Sequence, residues 1–366
     1  LFSNKTKNYY TKSLLFCYNN GFQVATKHNK KMKIALFSSK SYDSAYFSEE
    51  NKAFDHQITF FETRLKNRTA DLAEGFEAVC VFVNDVIDRE TICKLKDHGV
   101  KVIALRSAGF NHVDLAAAEE CGIRIVRVPA YSPRSIAEHA LALILTLNRK
   151  THKAYNRVRE GNFSLERLTG FNVGDRTVGV IGTGKIGATF ARIMMGLGCH
   201  VLGYDKYQNK ELADAGVEYT GLEKLLGRSD IISLHCPLTP ETAYLINKQT
   251  LSMMKPGVML INTSRGALIN TNDIIESLKN GHVGYLGIDV YEQEEKLFYR
   301  DRSEEILQDD QIARLMSFPN VLITAHQAFF TREALEQIAV TTLQNLKDFE
   351  EGKELVNEVR YSEVSQ

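Results

Sequence analysis

The sequence predicts an α/β protein of two domains, each a doubly wound parallel sheet, with one domain inserted into the other. Three observations lead to this. Short apolar runs alternate with charged segments of helical spacing along most of the chain, the pattern of a parallel sheet covered on both faces. A single glycine-rich turn, at 182–187, lies mid-chain between an apolar run and a helical segment. Two long helical segments, one after Pro133 and one near the C-terminus, are placed to connect two cores. With 366 residues there is enough chain to build both.

Leu1–Lys31 differ from the rest. They carry Lys5, Lys7, Lys12, Lys27, Lys30 and Lys31 and no acidic residue. The apolar piece at 14–17 is too short for a signal-peptide core, and no arginine or amphipathic helix marks a transit peptide. A disordered leader or an added extension is expected, with Met32 as the natural start. Beyond it, residues 34–37, 58–61, 78–83, 102–105 and 124–126 read as buried strands, with helical segments such as 89–98 and 113–121 between them. This half is a small α/β unit without a phosphate loop.

Pro129 and Pro133 interrupt the alternation. One apolar helix is expected from about 135 to 159, with Ala137, Ala140, Leu141, Ile144, Leu145 and Leu147 on its buried side. A second runs from about 331 to 349, packing through Ala334, Ile338, Leu343 and Leu346. If it returns to the first unit, that unit comprises 32–130 and 326–366, and 131–325 is the insertion.

The insertion begins with the most informative stretch of the chain. An apolar strand at 178–181 enters Gly182-Thr183-Gly184-Lys185-Ile186-Gly187, which fits G-x-G-x-x-G. A helix follows, then a strand at 201–204 that delivers Asp205. Gly182 permits the tight turn, Gly184 lets backbone approach a pyrophosphate, and Gly187 lets helix pack on strand. The free N–H groups and positive end of the helix attract the phosphates. An acid some twenty residues on accepts hydrogen bonds from ribose hydroxyls and repels a 2′-phosphate, so Asp205 selects NAD over NADP. The competing reading is an ordinary βαβ turn with Asp205 as a solvated strand end.

Further strands at 230–234, 257–262, 285–288 and 321–324 end in polar residues: His235 and Cys236, Thr263 to Gly266, Asp289, and His326. In an open parallel sheet ligands bind beyond such ends, so these residues are expected to converge. Arg265, Glu294 and His326 form a set suited to hydride exchange with a 2-keto acid. A guanidinium fork holds a carboxylate and polarises a keto oxygen. An imidazole donates the proton to the developing alkoxide, and in reverse it acts as base. A carboxylate beside it stabilises the imidazolium. Singly, each has a plainer reading: a solvated arginine, a structural histidine, a wet acidic run at 292–295.

Lysine and arginine number 45, as do aspartate and glutamate, so no excess charge points to nucleic acid or an acidic surface. No apolar run is long enough to span a bilayer. The cysteines at 17, 80, 93, 121, 199 and 236 form no CxxC pair or metal-ligand spacing, and no metal is expected. Their apolar surroundings suggest reduced core thiols in a cytoplasmic protein.

From Met32 to about Val359 the chain resembles the D-isomer-specific 2-hydroxyacid dehydrogenases. The resemblance rests on 38–43 (SSKSYD), 106–111 (RSAGFN), 128–133 (VPAYSP) and 162–165 (NFSL), with the glycine-rich loop. It rests further on 263–266 (TSRG), 289–294 (DVYEQE) and 325–329 (AHQAF). The segments at 162–165 and 327–329 favour the lactate branch. The resemblance implies two Rossmann-like or flavodoxin-like domains, and a reversible reduction of pyruvate by NADH to D-lactate. It implies Arg265 as substrate-binding residue, His326 as proton donor and Glu294 as its partner. Backbone N–H groups around Ser107, Ala108 and Gly109 would bind the substrate carboxylate, with Tyr131 and Phe329 beside its methyl group. For NAD it implies Lys185 and Ile186 at the phosphates and Asp205 at the ribose. Cys236, Pro237 and Thr242 would contact the cofactor from the next strand end, with Thr263, Ser264, Arg265 and Asp289 towards the nicotinamide. The family is commonly oligomeric, and a homodimer or tetramer through the helix after Pro133 is expected, with hinges near Tyr131 and His326. His112 departs from the lactate branch, which often has Asn there. Two alternatives stay open: a dehydrogenase for a bulkier 2-keto acid, and a non-catalytic NAD-sensing corepressor.

Overall fold

The computed structural model describes residues 31–364; the leader expected over Leu1–Lys31 lies, but for its last residue, outside them. Among the described residues the strands form two parallel sheets. The first contains β1 (Lys33–Leu36), β2 (Gln57–Phe60), β3 (Ala78–Val81), β4 (Val102–Leu105) and β5 (Arg124–Arg127), in the order β2-β1-β3-β4-β5. The second contains β6 (Thr177–Ile181), β7 (His200–Tyr204), β8 (Glu218–Tyr219), β9 (Ile231–Leu234), β10 (Val258–Asn262), β11 (Val283–Ile288) and β12 (Val321–Ile323). Its order is β12-β11-β10-β9-β6-β7-β8. In each sheet the order in which strands are added reverses once, between β1 and β3 and between β6 and β9. A crevice for a ligand opens at such a point, beyond the carboxyl ends.

In chain order the helices are α1 (Ser41–Glu50), α2 (Arg89–Asp97), α3 (Leu115–Cys121), α4 (Pro133–Arg149), α5 (Thr151–Arg159) and α6 (Lys185–Gly196). They continue with α7 (Lys210–Asp214), α8 (Leu222–Arg228), α9 (Lys248–Ser252), α10 (Thr271–Lys279), α11 (Asp310–Ser317), α12 (Arg332–Glu350) and the short α13 (Tyr361–Val364). Their starts follow from side-chain caps. Asp88, Asp114, Ser132 and Thr331 each accept a backbone N–H of the first turn, and Pro133 sits where its missing N–H is harmless. Strands β3, β4, β9 and β10 are buried at every residue, which is why they read as near-continuous apolar runs, broken only by Ser233 and Asn262.

Ala137, Ala140, Ile144 and Leu147 of α4 pack against Val178, Val180 and Ile261 of the second sheet. Ala339, Leu343 and Leu346 of α12 pack against Ile34, Leu36, Val102 and Ala104 of the first. Helix α12, near the C-terminus, therefore completes the core that the N-terminal strands begin.

Three expectations need correction. Leu145, expected on the buried side of the helix after Pro133, is exposed, because the buried face of α4 runs through Ile136, Ala140, Leu143, Ile144 and Leu147 and helical rotation carries Leu145 off it. The helix expected over 135–159 is two helices, because Lys150 takes a left-handed φ of 52° between α4 and α5. Lysine is a good helix former, so periodicity gives no sign of the break. The cysteines are not all core thiols. Cys80, Cys199 and Cys236 are buried, but Cys93 is exposed and Cys121 half-buried. In α2 the buried side carries Thr91, Ile92 and Leu95, and helical rotation turns Cys93 outward. No helix among the described residues is long and apolar enough to cross a membrane. No group of three or more His, Cys, Asp or Glu among them is placed to hold a metal ion.

Candidate active site

The glycine-rich turn is built by close approach. Strand β6 enters Gly182 at φ 91°, and a Cβ there would collide with the backbone of His235 and Cys236. A Cβ on Gly187 would collide with the Gly182 carbonyl, so α6 packs on the strand only with glycine at both positions. Gly184 caps α6, and nothing lies within 4 Å of its would-be Cβ. The open approach falls at the helix end whose free N–H groups suit a phosphate. Lys185 is exposed beside it and Ile186 half-buried on the cleft wall.

Asp205 follows β7 and turns back to this loop. Its Oδ2 accepts the Thr183 backbone N–H at 2.5 Å and the Thr183 hydroxyl at 3.2 Å, while Oδ1 accepts from Tyr207 N at 3.0 Å. The Tyr219 hydroxyl donates to Thr183 Oγ1 at 2.9 Å. Thr183 thus fixes the acid's position, a role that its place inside a glycine motif conceals in the sequence.

The ends of β9 and β10 are tied together. Ser264 Oγ donates to the Cys236 carbonyl at 2.7 Å, and Thr242 Oγ1 to the Pro237 carbonyl at 2.7 Å. Burial pushes the Cys236 thiol up to about 11, so it stays protonated near neutrality. Thr263 is buried on the cleft wall with a hydroxyl that has no hydrogen-bond partner in the protein. Such a group calls for a ligand atom. Together with the open N-terminus at Gly184 and the acid at Asp205, it fits a dinucleotide laid across the carboxyl end of the second sheet.

The strand ends meet in a cleft of about 650 Å³. Lining it are Ala108, Gly109, Tyr131, Ile186, Pro237 and Thr263, together with Ser264, Arg265, Asp289, His326 and Phe329. The His326 Nδ1 lies 2.8 Å from Glu294 Oε1. A carboxylate only accepts, so Nδ1 carries the proton and Nε2 is left for a substrate. Glu294 is aimed by its other oxygen, which accepts Tyr291 N at 2.9 Å. His326 has a left-handed φ of 53°, a conformation that needs fastening. Asp289, fully buried, supplies it. Its carboxylate accepts the Thr324 hydroxyl at 2.5 Å and the backbone N–H groups of Gln327 at 2.9 Å and Ala328 at 2.8 Å. The Asp289 carbonyl accepts His326 N at 2.7 Å.

Arg265 crosses the cleft. Its Nη1 donates to the Ser264 carbonyl at 2.7 Å, and Nη2 rests against Gly109, where a Cβ would displace it. The second sheet's arginine therefore sits on the loop that follows β4 of the first. In that loop Ser107 Oγ donates to the Gly109 carbonyl at 2.8 Å and Arg127 Nη1 to the Ala108 carbonyl at 2.8 Å. Arg106 anchors it from behind: its Nη1 meets Asp43 at 2.5 Å and its Nη2 the Phe37 carbonyl at 2.6 Å, all buried. Gly109→Ala is expected to lower kcat/KM for keto-acid reduction about a hundredfold with little change in Tm. Only the flexible end of Arg265 must yield to the methyl group; steady-state kinetics beside a thermal melt check this.

The pocket wall is aromatic. Tyr131 and Phe329 stand edge to face at 6.2 Å, and Phe82 reaches Phe329 from the first sheet at 6.1 Å. Tyr299 donates to the His326 carbonyl at 3.3 Å and lies beside its ring. It comes from an irregular, charged segment with no periodicity, so nothing in the sequence marks it. Burial raises the hydroxyl pKa of both Tyr131 and Tyr299, so both are neutral donors.

Two histidines at the cleft are kept neutral. Burial lowers His235 to about 3, and burial with the Arg265 and Arg64 charges lowers His112 to about 4. Between these values and 6.5, the unfolded chain binds protons that the folded chain refuses. Stability is therefore full above pH 6.5 and lost as the pH falls towards 4. Each histidine is expected to cost about 2 kcal/mol between pH 7.5 and 5.0, and His112→Asn should remove its share. Urea titrations at the two pH values measure this.

Fold and site define a dehydrogenase that joins a nicotinamide dinucleotide domain to a second parallel-sheet unit across a cleft holding arginine, histidine and glutamate. Comparison with known proteins gives the same class. Residues 141–328 match the family model described as D-isomer specific 2-hydroxyacid dehydrogenase, NAD binding domain. The chain is 52% identical over 328 residues to a D-lactate dehydrogenase of Escherichia coli (strain K12), covering 90% of this chain and all of that protein. A solved apo-structure of D-lactate dehydrogenase from Escherichia coli superposes with a TM-score of 0.83 at 51% identity, over 90% of this chain and all of that one. The structure of a pyruvate reductase from Chlamydomonas reinhardtii superposes with a TM-score of 0.86 at 45% identity, over 89% of this chain and 98% of that one. The chain belongs to the D-isomer-specific 2-hydroxyacid dehydrogenase family, and its cofactor is NAD.

Proposed function

We propose that the protein is an NAD-dependent D-lactate dehydrogenase that reduces pyruvate reversibly to D-lactate. The observation that carries this is the convergence of Arg265, resting on Gly109, with the His326–Glu294 pair in one aromatic-walled cleft. The 52% identity to the Escherichia coli D-lactate dehydrogenase along its whole length supports it. NADH, when bound, supplies the hydride. Arg265 and the N–H groups of the 107–109 loop hold the substrate carboxylate, and Arg265 polarises the keto oxygen. His326 gives its Nε2 proton to the oxygen as charge develops, and Glu294 holds the imidazolium in place. Tyr131 and Phe329 close round the methyl group and exclude water. Gly184, Lys185 and Ile186 face the dinucleotide phosphates, Gly182 and Gly187 let the loop and helix close up behind them, and Asp205 takes the ribose hydroxyls. Cys236, Pro237 and Thr242 contact the cofactor from the end of β9, and Thr263, Ser264 and Asp289 lie towards its nicotinamide. Asp289 acts mainly through the His326 loop that it fastens.

The unit 131–325 would bind NAD and the rest of 32–366 the substrate, with hinges near Tyr131 and His326. The protein would act in the cytoplasm as a homo-oligomer. Leu145, Tyr155, Val158, Phe163 and Leu165 are exposed on and after α4 and α5, apolar side chains that a second copy would cover. A monomeric mass by light scattering at micromolar concentration would rule out that assembly.

The test is NADH oxidation with pyruvate, a branched-chain keto acid and phenylpyruvate, followed by chiral chromatography. Highest kcat/KM with pyruvate and a D-lactate product are expected. Preference for phenylpyruvate would make this a dehydrogenase for bulkier acids, and no turnover with any would favour an NAD-sensing regulator.

A further inference from the structure

Outside the cleft, two thiols on the first unit are held face to face. Cys93 lies midway along α2 and Cys121 ends α3, and their Sγ atoms are 3.7 Å apart. The approach is built into the packing. Ile92 and Leu95 of α2 and Ala117 and Ala118 of α3 share one core. Arg89, one turn before Cys93, makes a two-pronged ion pair with Glu120, the neighbour of Cys121, at 2.5 and 3.0 Å. The helix starts are joined by the Ile87–Val113 bridge, with Asp114 N donating to the Ile87 carbonyl at 2.8 Å. Cys93 is exposed and Cys121 half-buried, whereas Cys80, Cys199 and Cys236 are buried. A disulfide is about 2.05 Å long, so each sulfur has less than about 1 Å to travel.

We infer that Cys93 and Cys121 form a reversible oxidation site, a dithiol that a hydroperoxide converts to an intramolecular disulfide between α2 and α3. The thiolate of Cys93, the more exposed, attacks the peroxide oxygen. The O–O bond breaks, an alcohol or water leaves, and Cys93 becomes a sulfenic acid. The Cys121 thiolate then attacks the Cys93 sulfur, the S–O bond breaks, and water leaves. In sum, two thiols and one hydroperoxide give one disulfide, one alcohol or water and one further water. The pair surrenders two electrons and two protons. The adjacent thiol captures the sulfenic acid before it reaches the irreversible sulfinic state. The bond joins two helices of one layer and does not cross the cleft, so turnover is retained.

The test treats the reduced full-length protein with stoichiometric hydrogen peroxide and maps it by non-reducing tryptic mass spectrometry. Peptides 90–94 and 107–124 should appear linked, two hydrogens lighter than their sum, and separate on adding dithiothreitol. Closing this loop should raise Tm by on the order of 5 °C. Cys93→Ser and Cys121→Ser should each abolish both the link and the Tm shift while leaving NADH-dependent activity unchanged. Cys93 found as sulfinic or sulfonic acid without the link, Cys93 linked to another cysteine, or a link formed only between molecules would each overturn the inference.

Discussion

Replacing His326 with Ala is expected to lower kcat for pyruvate reduction by about 10³-fold while NADH binds within about twofold of wild type. The expectation comes from the bonds the imidazole makes. Nδ1 is spent on Glu294 at 2.8 Å, so Nε2 is the proton source facing the cleft. No second acid stands ready. Burial holds the Tyr131 and Tyr299 hydroxyls to their protons, and it keeps His235 neutral, without the extra proton of an imidazolium. The dinucleotide loop at 182–187 and Asp205 do not touch His326, so cofactor titration by fluorescence should report little change. Glu294→Gln should lose about 10²-fold, because an amide no longer stabilises the imidazolium. Wild-type turnover in His326→Ala would remove the proton-donor role.

Replacing Arg265 with Gln is expected to lower kcat/KM for pyruvate by about 10³-fold, near 4 kcal/mol. Its guanidinium is the group of the second sheet that reaches across to Gly109. It would meet the carboxylate in the ground state and the developing alkoxide in the transition state, so KM should rise and kcat fall together. Arg265→Lys should recover only part, since an ammonium keeps the charge but not the fork. Oxamate, a carboxylate isosteric with pyruvate, should lose affinity for the NADH complex in step. An effect on KM alone would mean that Arg265 binds the carboxylate without touching the reacting oxygen.

Much of this was legible in the sequence where backbone demands are strict. Gly182 and Gly187 sit where no Cβ fits, and Gly184 where a ligand must approach, so the motif carries its own geometry. Polar residues at the ends of apolar runs pointed to one crevice because parallel strands present all their carboxyl ends on one side. Side chains that act through others left no such mark. Thr183 holds Asp205 from inside the motif, and Asp289, marked in the sequence only as a polar strand end, spends its carboxylate on the His326 loop. Arg106 and Asp43, 63 residues apart, meet only in the folded chain. The break at Lys150 and the outward turn of Cys93 were hidden for a related reason. Helical spacing reports the average face of a segment, not where one residue leaves it.

The most direct measurement is a crystal structure of the protein with NADH and oxamate. His326 Nε2 is expected within about 3 Å of the oxamate oxygen that replaces the keto oxygen, with the Arg265 guanidinium on the same ligand and the nicotinamide ring beneath it. Oxamate bound away from Arg265, or His326 turned from it with its Glu294 bond broken, would contradict the assignment.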